Sequence, residues 1–144
     1  MPHVSFIGKR KLSIMKKLIK NIDRMKKAIS GQKSFSLLDK DISTLSILDV
    51  LWDNGFILGY EIISSSRKGP FFLKLFFKFH GRENVIKDII VFSATTRPLF
   101  LKASDVSKLS LKHNLVLVST KKGIITAQEC LSDGMGGCPV CALA

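Results

Sequence analysis

LVLVSTKKGIITAQE, residues 115–129, is the stretch on which the fold turns. Leu115 to Val118 is a short apolar run rich in branched side chains, which reads as a buried strand. Ser119, Thr120, Lys121, Lys122 and Gly123 follow at once, a polar corner that closes on a glycine. After the apolar pair Ile124-Ile125 comes Thr126-Ala127-Gln128-Glu129, whose threonine and glutamate stand at capping-box spacing for a helix start. A strand, a tight corner and a short helix within so few residues predict a mixed fold of α-helices and β-strands.

Working outward, the predicted helix runs to about Ser132. Gly134, Gly136 and Gly137 turn the chain into a terminal strand over Cys138 to Leu143. Upstream of residue 115, Asp105 to Leu109 reads as a helical turn and Leu99 to Lys102 as a strand. Ser93 to Pro98 is a polar joint, so the predicted organisation is an N-terminal α/β unit over residues 1–92 and a smaller, mostly β unit over 93–144. In the first unit Leu12, Met15, Leu18, Ile19, Ile22, Met25 and Ile29 recur at three- and four-residue steps, predicting an amphipathic helix over Lys11 to Ser30 that Gly31 stops. A strand around Phe35 to Leu38 comes next, then a second helix with Leu45, Leu48, Leu51 and Trp52 on one side, ended by Asn54-Gly55. Phe56 to Ile63 and Phe71 to Phe79 form a predicted hairpin around a Ser64 to Gly69 loop. His80 to Asn84 is a turn, and Val85 to Phe92 a third strand. On the second hairpin strand Phe71, Leu73, Leu75, Phe77 and Phe79 make the expected core face. Phe72, Lys74, Phe76 and Lys78 make the other, where rings and ammonium groups alternate as in a base-stacking surface. The preferred expectation is that these rings pack beneath the helices and the lysine stems reach water.

The chain has 144 residues, 46% of them hydrophobic, which suits one ordinary domain or two very small ones and excludes a disordered basic tail. Its 23 Lys and Arg against 11 Asp and Glu leave a net charge of +12, so phosphate polymers lead the partner classes. Residues 1–35 hold ten of the bases and one acid, Asp23. Lys16, Lys17, Lys20 and Arg24 fall mostly off the apolar stripe of the first helix. A solvated face is the ordinary fate of such lysines, and the shortage of acids sets RNA contact beside it. Lysine outnumbers arginine eighteen to five, favouring point-charge contacts to phosphates over bidentate reading of bases. The first residues are basic and acid-poor like an organelle presequence. Few hydroxyls or arginines and a direct run into a periodic helix favour the folded body instead. No apolar run reaches the length of a membrane span, since Lys74 and Lys78 interrupt the greasiest one.

No set of nucleophile, base and orienting group is present, and His3, His80 and His113 occupy unrelated polar positions. Lys122-Gly123 lacks the phosphate-loop pattern, since its glycine follows the lysine. Cys138-Pro139-Val140-Cys141 is a CxxC at a strand, not at a helix start, and with Cys130 it falls one ligand short of a zinc site. Buried or idle thiols are expected, with no cofactor, no small-molecule substrate and no catalysis.

Val118-Ser119-Thr120-Lys121-Lys122-Gly123-Ile124-Ile125-Thr126, with Glu129, Gly136-Gly137 and Cys141, resembles the C-terminal signature of the bacterial-type small-subunit ribosomal protein eight family. Asn54-Gly55-Phe56-Ile57 looks like the family's motif after the second helix. Thr96-Arg97-Pro98 looks like the joint between its halves. The resemblance implies two small α/β subdomains, no catalysis, and binding to the central domain of small-subunit ribosomal RNA among neighbouring ribosomal proteins. It implies RNA contact by Ser119 and Thr120, a turn permitted by Gly123, a supporting surface shaped by Thr126, Glu129, Gly136 and Gly137, and an inter-domain angle set by Arg97 and Pro98. Lys121 replaces the family's second serine, Cys138 stands at an acidic position, and Ala142 and Ala144 stand where aromatics are usual. The Lys-, Ile- and Phe-rich divergence looks like an organelle copy, expected in the mitochondrial ribosome, with another organelle or a bacterial cytoplasm as the other placements. The expectation is thus a structural RNA-binding protein in which Ser119, Thr120, Lys121, Lys122, Gly123, Thr126 and Arg97, with Lys16, Lys17, Lys20 and Arg24, hold RNA. The runner-up is a metal- or redox-dependent interaction protein using Cys130, Cys138 and Cys141, and a peripheral membrane protein using the helix at 11–30 comes third.

Overall fold

The computed structural model describes residues 2–64, 66–67, 69–92 and 100–144. Helix α1 spans Pro2–Ser30, starting upstream of the predicted Lys11. Leu18, Ile22 and Met25 of the predicted stripe are buried and Ile29 packs beside them, whereas Lys16, Lys17 and Lys20 are exposed. Leu12 and Met15 lie outside the residues whose side chains are described. The helix stops where Gly31 predicts, although the left-handed residue is Gln32, with φ of 54°.

Strand β1 (Phe35–Asp39), helix α2 (Ile42–Asp53) and the hairpin of β2 (Ile57–Ser64) and β3 (Phe71–Phe77) complete the N-terminal unit. The three strands form an antiparallel sheet in the order β1-β3-β2. Asp41 caps α2, its carboxylate accepting the Thr44 N–H at 3.2 Å. Both helices cover one face of the sheet, where Leu38, Leu73, Leu75 and Phe77 meet Leu18, Ile22, Met25, Leu48 and Leu51. Asn21 interrupts the apolar stripe of α1 and is fully buried. Its amide donates to the Asp39 carbonyl (3.0 Å) and the Thr44 hydroxyl (2.8 Å) and accepts the Asp39 N–H (3.0 Å), tying α1 to β1 and α2.

Three expectations are corrected here. Trp52 is not in the core with Leu48 and Leu51: it is 50% exposed and stands edge-on to Tyr60 at 5.7 Å, because α2 turns Ile47 inward instead. Phe72 and Phe76 do not lie beneath the helices, since register with β1 puts them on the opposite face. Phe79 leaves β3 for a separate small hairpin, β4 (Phe79–His80) with β5 (Glu83–Asn84).

The second sheet is assembled from β6 (Ile89–Val91), β7 (Leu115–Thr120), β8 (Gly123–Thr126) and β9 (Cys138–Leu143), in the order β6-β9-β7-β8. Helices α3 (Ala103–Ser110) and α4 (Ala127–Asp133) pack together beside it. The strand expected over Val85 to Phe92 shrinks to β6, which pairs with β9 and not with the N-terminal sheet. The Ser93 to Pro98 joint, including Arg97 and Pro98, lies outside the described residues. In place of the strand expected from Leu99 to Lys102, Leu101 makes a single bridge to Gly137. The architecture is mixed α+β with two subdomains. Their interiors are continuous, because Leu117, Val140, Cys141 and Leu143 join the cluster that holds Leu18 and Leu48. Val106, Val116, Val118, Ala127, Cys130 and Ala142 form a second, smaller core.

Candidate nucleic-acid interface

The corner between β7 and β8 is built from its own side chains. Thr120 pairs directly with Gly123, leaving Lys121 and Lys122 as the two residues of the turn. Gly123, at φ of 107°, is the only residue of that turn with positive φ, and it absorbs the twist that the two lysines do not. The Thr120 hydroxyl donates to the Gly123 carbonyl (2.9 Å) and accepts the Lys122 N–H (3.2 Å). That hydroxyl holds the turn closed, so Thr120 positions the corner more than it offers a contact. Ser119 is exposed, and among the described residues its hydroxyl has no side-chain or loop partner. Of the two lysines, Lys122 pairs with Asp133 at 3.3 Å, and Lys121 is exposed with no ion-pair partner among the described residues.

Behind the corner, α4 and the glycine pair brace the sheet. Thr126 caps α4, its hydroxyl accepting the Glu129 N–H at 3.2 Å and donating to the Glu129 carboxylate at 3.4 Å. Thr126 is 5% exposed, so it is a support beneath the surface and not a contact on it. Gly134, with φ of 63°, ends the helix. Gly137 exchanges hydrogen bonds with Leu101 (2.8 and 2.9 Å) and presses on β7 from the other side. A Cβ there would stand 2.6 Å from the Ser119 carbonyl oxygen, so only glycine permits the approach. Gly136 is under the same constraint against the Leu101 carbonyl.

The result is an open depression of about 630 Å³ lined by Phe100, Ser119, Thr120, Lys121, Asp133 and Gly136, among others. Phe100, 71% exposed on its rim, and Asp133 were not singled out from sequence. The signal for Phe100 was the alternation around it, since Leu101 packs inward against the small core. A hydroxyl, an ammonium group and an exposed ring around a rigid hollow suit a ribose or phosphate edge with a stacked base.

Lys16, Lys17 and Lys20 form a second cluster, at helical spacing on one exposed strip of α1. Arg24 does not extend it freely, because its guanidinium is held by Asp39 at 3.2 Å. Helix α1 packs on β1, α2 and β6, so this basic strip and the β7–β8 corner are separate places on the molecule.

The cysteines do not converge. Cys130 sits in the small core and Cys141 in the large one, and among the described residues no group of ligating side chains is arranged for a metal. Burial pushes the Cys141 thiol up to about 12, and burial, then Glu129 and Asp133, raises Cys130, so both stay protonated at neutral pH. The metal or redox reading of these residues therefore loses its support. Among the described residues no helix is long and apolar enough to cross a membrane.

Comparison with known proteins agrees with the geometry. The profile of the ribosomal protein S8 family matches residues 17–143. A small ribosomal subunit protein uS8 from Kosmotoga olearia is 31% identical over 100 residues, 67% of this chain and 73% of the relative. The one from Fervidobacterium nodosum is 30% identical over 64% of this chain and 70% of its own length. That from Bartonella bacilliformis, at 28% identity, covers 83% of this chain and 90% of the relative. With nearly its whole length matched, and with the strand, corner, helix and glycine pair in place, the chain belongs to the ribosomal protein S8 family.

Proposed function

We propose that this protein is a structural constituent of the small ribosomal subunit, without catalytic activity, that binds small-subunit ribosomal RNA and contacts neighbouring ribosomal proteins. The observation that carries this reading is the β7–β8 corner: an exposed Ser119 hydroxyl and Lys121 ammonium, neither with a side-chain partner among the described residues, on a turn that Thr120, Gly123 and Gly137 hold rigid. A preformed corner binds without the cost of ordering a loop, which favours recognition of one RNA shape over another. Lys16, Lys17 and Lys20 add adhesion to phosphates that is indifferent to sequence. Lys122 contributes less charge than Lys121 while Asp133 holds it. The proposed placement is an organellar, mitochondrial ribosome; the Lys-, Ile- and Phe-rich composition of the chain supports it.

Sedimentation of a native lysate tests the reading. The protein is expected with small-subunit RNA at moderate salt, and a free pool with none on the subunit overturns it. Affinity for the purified RNA should fall with salt by roughly 0.7–0.9 log units per log unit of salt for each neutralised phosphate. Cosedimentation with ribosomes from isolated mitochondria decides the compartment, and recovery only with other ribosomes overturns that placement.

A further inference from the structure

The side of the N-terminal sheet turned away from α1 and α2 has no cover among the described residues. Strand register collects Phe35, Leu37 and Asp39 of β1, Phe72, Lys74 and Phe76 of β3, and Glu61 and Ile63 of β2 on that side. Phe35 is 42% and Leu37 48% exposed, and neither these nor Phe72 or Phe76 joins either core. Phe35 and Phe76 are direct partners on adjacent strands. The Lys74 ammonium sits over both rings, 4.5 Å from the centre of Phe35 and 5.4 Å from that of Phe76. A soluble domain ordinarily puts polar residues on an open sheet face, so rings on the central strand and its neighbour call for a ligand.

We propose that this face is a second RNA site, distinct from the β7–β8 corner, on which unpaired bases stack against Phe35, Phe76 and Phe72. An incoming base takes the place of the Lys74 ammonium over the rings, and the lysine turns to the adjoining phosphate, as on other open sheets that bind single strands. The placement of the Lys74 ammonium over the rings favours this occupant over a protein. A protein covering the face would take the Lys74 ammonium out of water among aromatic rings, a costly arrangement, whereas a polyanion brings added counter-charge. Of the two acids present, Asp39 is already paired with Arg24, and Glu61 stands across from Lys74 on β2. The net charge of +12 attracts the same partner.

The test uses the full-length chain and a fluorescein-labelled twelve-nucleotide oligouridylate, which has no secondary structure. Phe35→Ala with Phe76→Ala is expected to weaken binding by at least about fivefold per ring. Phe76→Leu, which keeps the apolar surface and removes the ring, should weaken it measurably too. Ser119→Ala, at the corner, should leave this oligonucleotide unaffected while weakening ribosomal RNA, so failure of one site is distinguishable from failure of the other. Ultraviolet crosslinking should mark peptides carrying Phe35 or Phe72 to Phe76. These side chains lie outside both cores, and a melting curve for each variant confirms the fold. Unchanged affinity in both phenylalanine variants, or crosslinks confined to α1 and the corner, overturns the proposal. So does a normal Phe76→Leu beside a weakened double variant, which marks the face as a protein-docking surface.

Discussion

Replacing Gly137 by alanine places one methyl group where the sheet has no room. The new Cβ would stand 2.6 Å from the Ser119 carbonyl oxygen, 2.6 Å from Val118 Cγ1 and 2.9 Å from Thr120 Cγ2, against an ordinary contact of 3.4 Å or more. The Ser119 oxygen is backbone and cannot rotate away. The Thr120 side chain is pinned by its hydrogen bonds to Gly123 and Lys122. Relief therefore requires the strand of Gly137 and β7 to part by about 0.8 Å, which moves Ser119 with them. Overpacking of this kind costs about 1–3 kcal/mol. For a chain of this length that lowers the melting temperature by about 4–12 °C. Displacing Ser119 should also cost one good hydrogen bond to RNA, about tenfold in affinity. The control is Gly81→Ala, at φ of 67° with nothing within 4 Å of its Cβ, where only about 1 kcal/mol of backbone strain is expected and RNA affinity is unchanged. Melting curves and filter binding of ribosomal RNA read both quantities. If the two variants melt and bind alike, the close approach of Gly137 to β7 does not organise the corner.

Ser119→Ala and Thr120→Val should separate contact from support: the first weakens cognate RNA by about three- to tenfold with unchanged melting, and the second lowers stability by about 1 kcal/mol before it touches binding. Equal effects of the two on denaturant midpoints would refute that division. Asn21→Leu leaves the Asp39 N–H and carbonyl without their side-chain partner, while the Thr44 hydroxyl keeps its bond to Asp41, so urea unfolding should show a loss of about 2–4 kcal/mol, and a neutral result would deny Asn21 its joining role. The Tyr60 hydroxyl donates to Asp49 at 2.6 Å, and this hydrogen bond to a carboxylate, with burial, pushes the phenol from 10.0 up to about 12. The folded protein thus keeps a proton that the unfolded chain loses, so stability falls as pH rises from about 10 towards 12. Urea midpoints across that range should show the decline in the native chain and a shallower one in Tyr60→Phe; parallel declines would exclude the phenol as its source.

Local rules made much of the fold legible. The three- and four-residue spacing of Leu18, Ile22 and Met25 locates the buried face of α1, and Thr126 with Glu129 locates the start of α4. What local pattern does not carry is the identity of distant partners. The apolar run around Ile89 announces a strand, yet nothing in it reveals that Cys141 to Leu143 lies alongside. Asn21 looks like a flaw in an apolar stripe until Asp39 and Thr44 are brought to it. Phe72 and Phe76 have the composition of core residues, and only the register with β1 shows that they face away from the helices. At the corner, residue types pointed to Ser119, Thr120, Lys121 and Lys122 together. The division of labour came from geometry, which spends the Thr120 hydroxyl on Gly123 and the Lys122 charge on Asp133.

The position of β9 between β6 and β7 has a consequence for biosynthesis. Translation delivers β6 and β7 before β9, so on the nascent chain β6 has no strand to pair with and β7 has only β8. The hairpin that presents Ser119 and Lys121 stays unanchored until residues 138–143 leave the exit tunnel. A chain released before Cys138 lacks the strand that joins β6 to β7, and Val116 and Leu117, buried in the finished sheet, lose that cover.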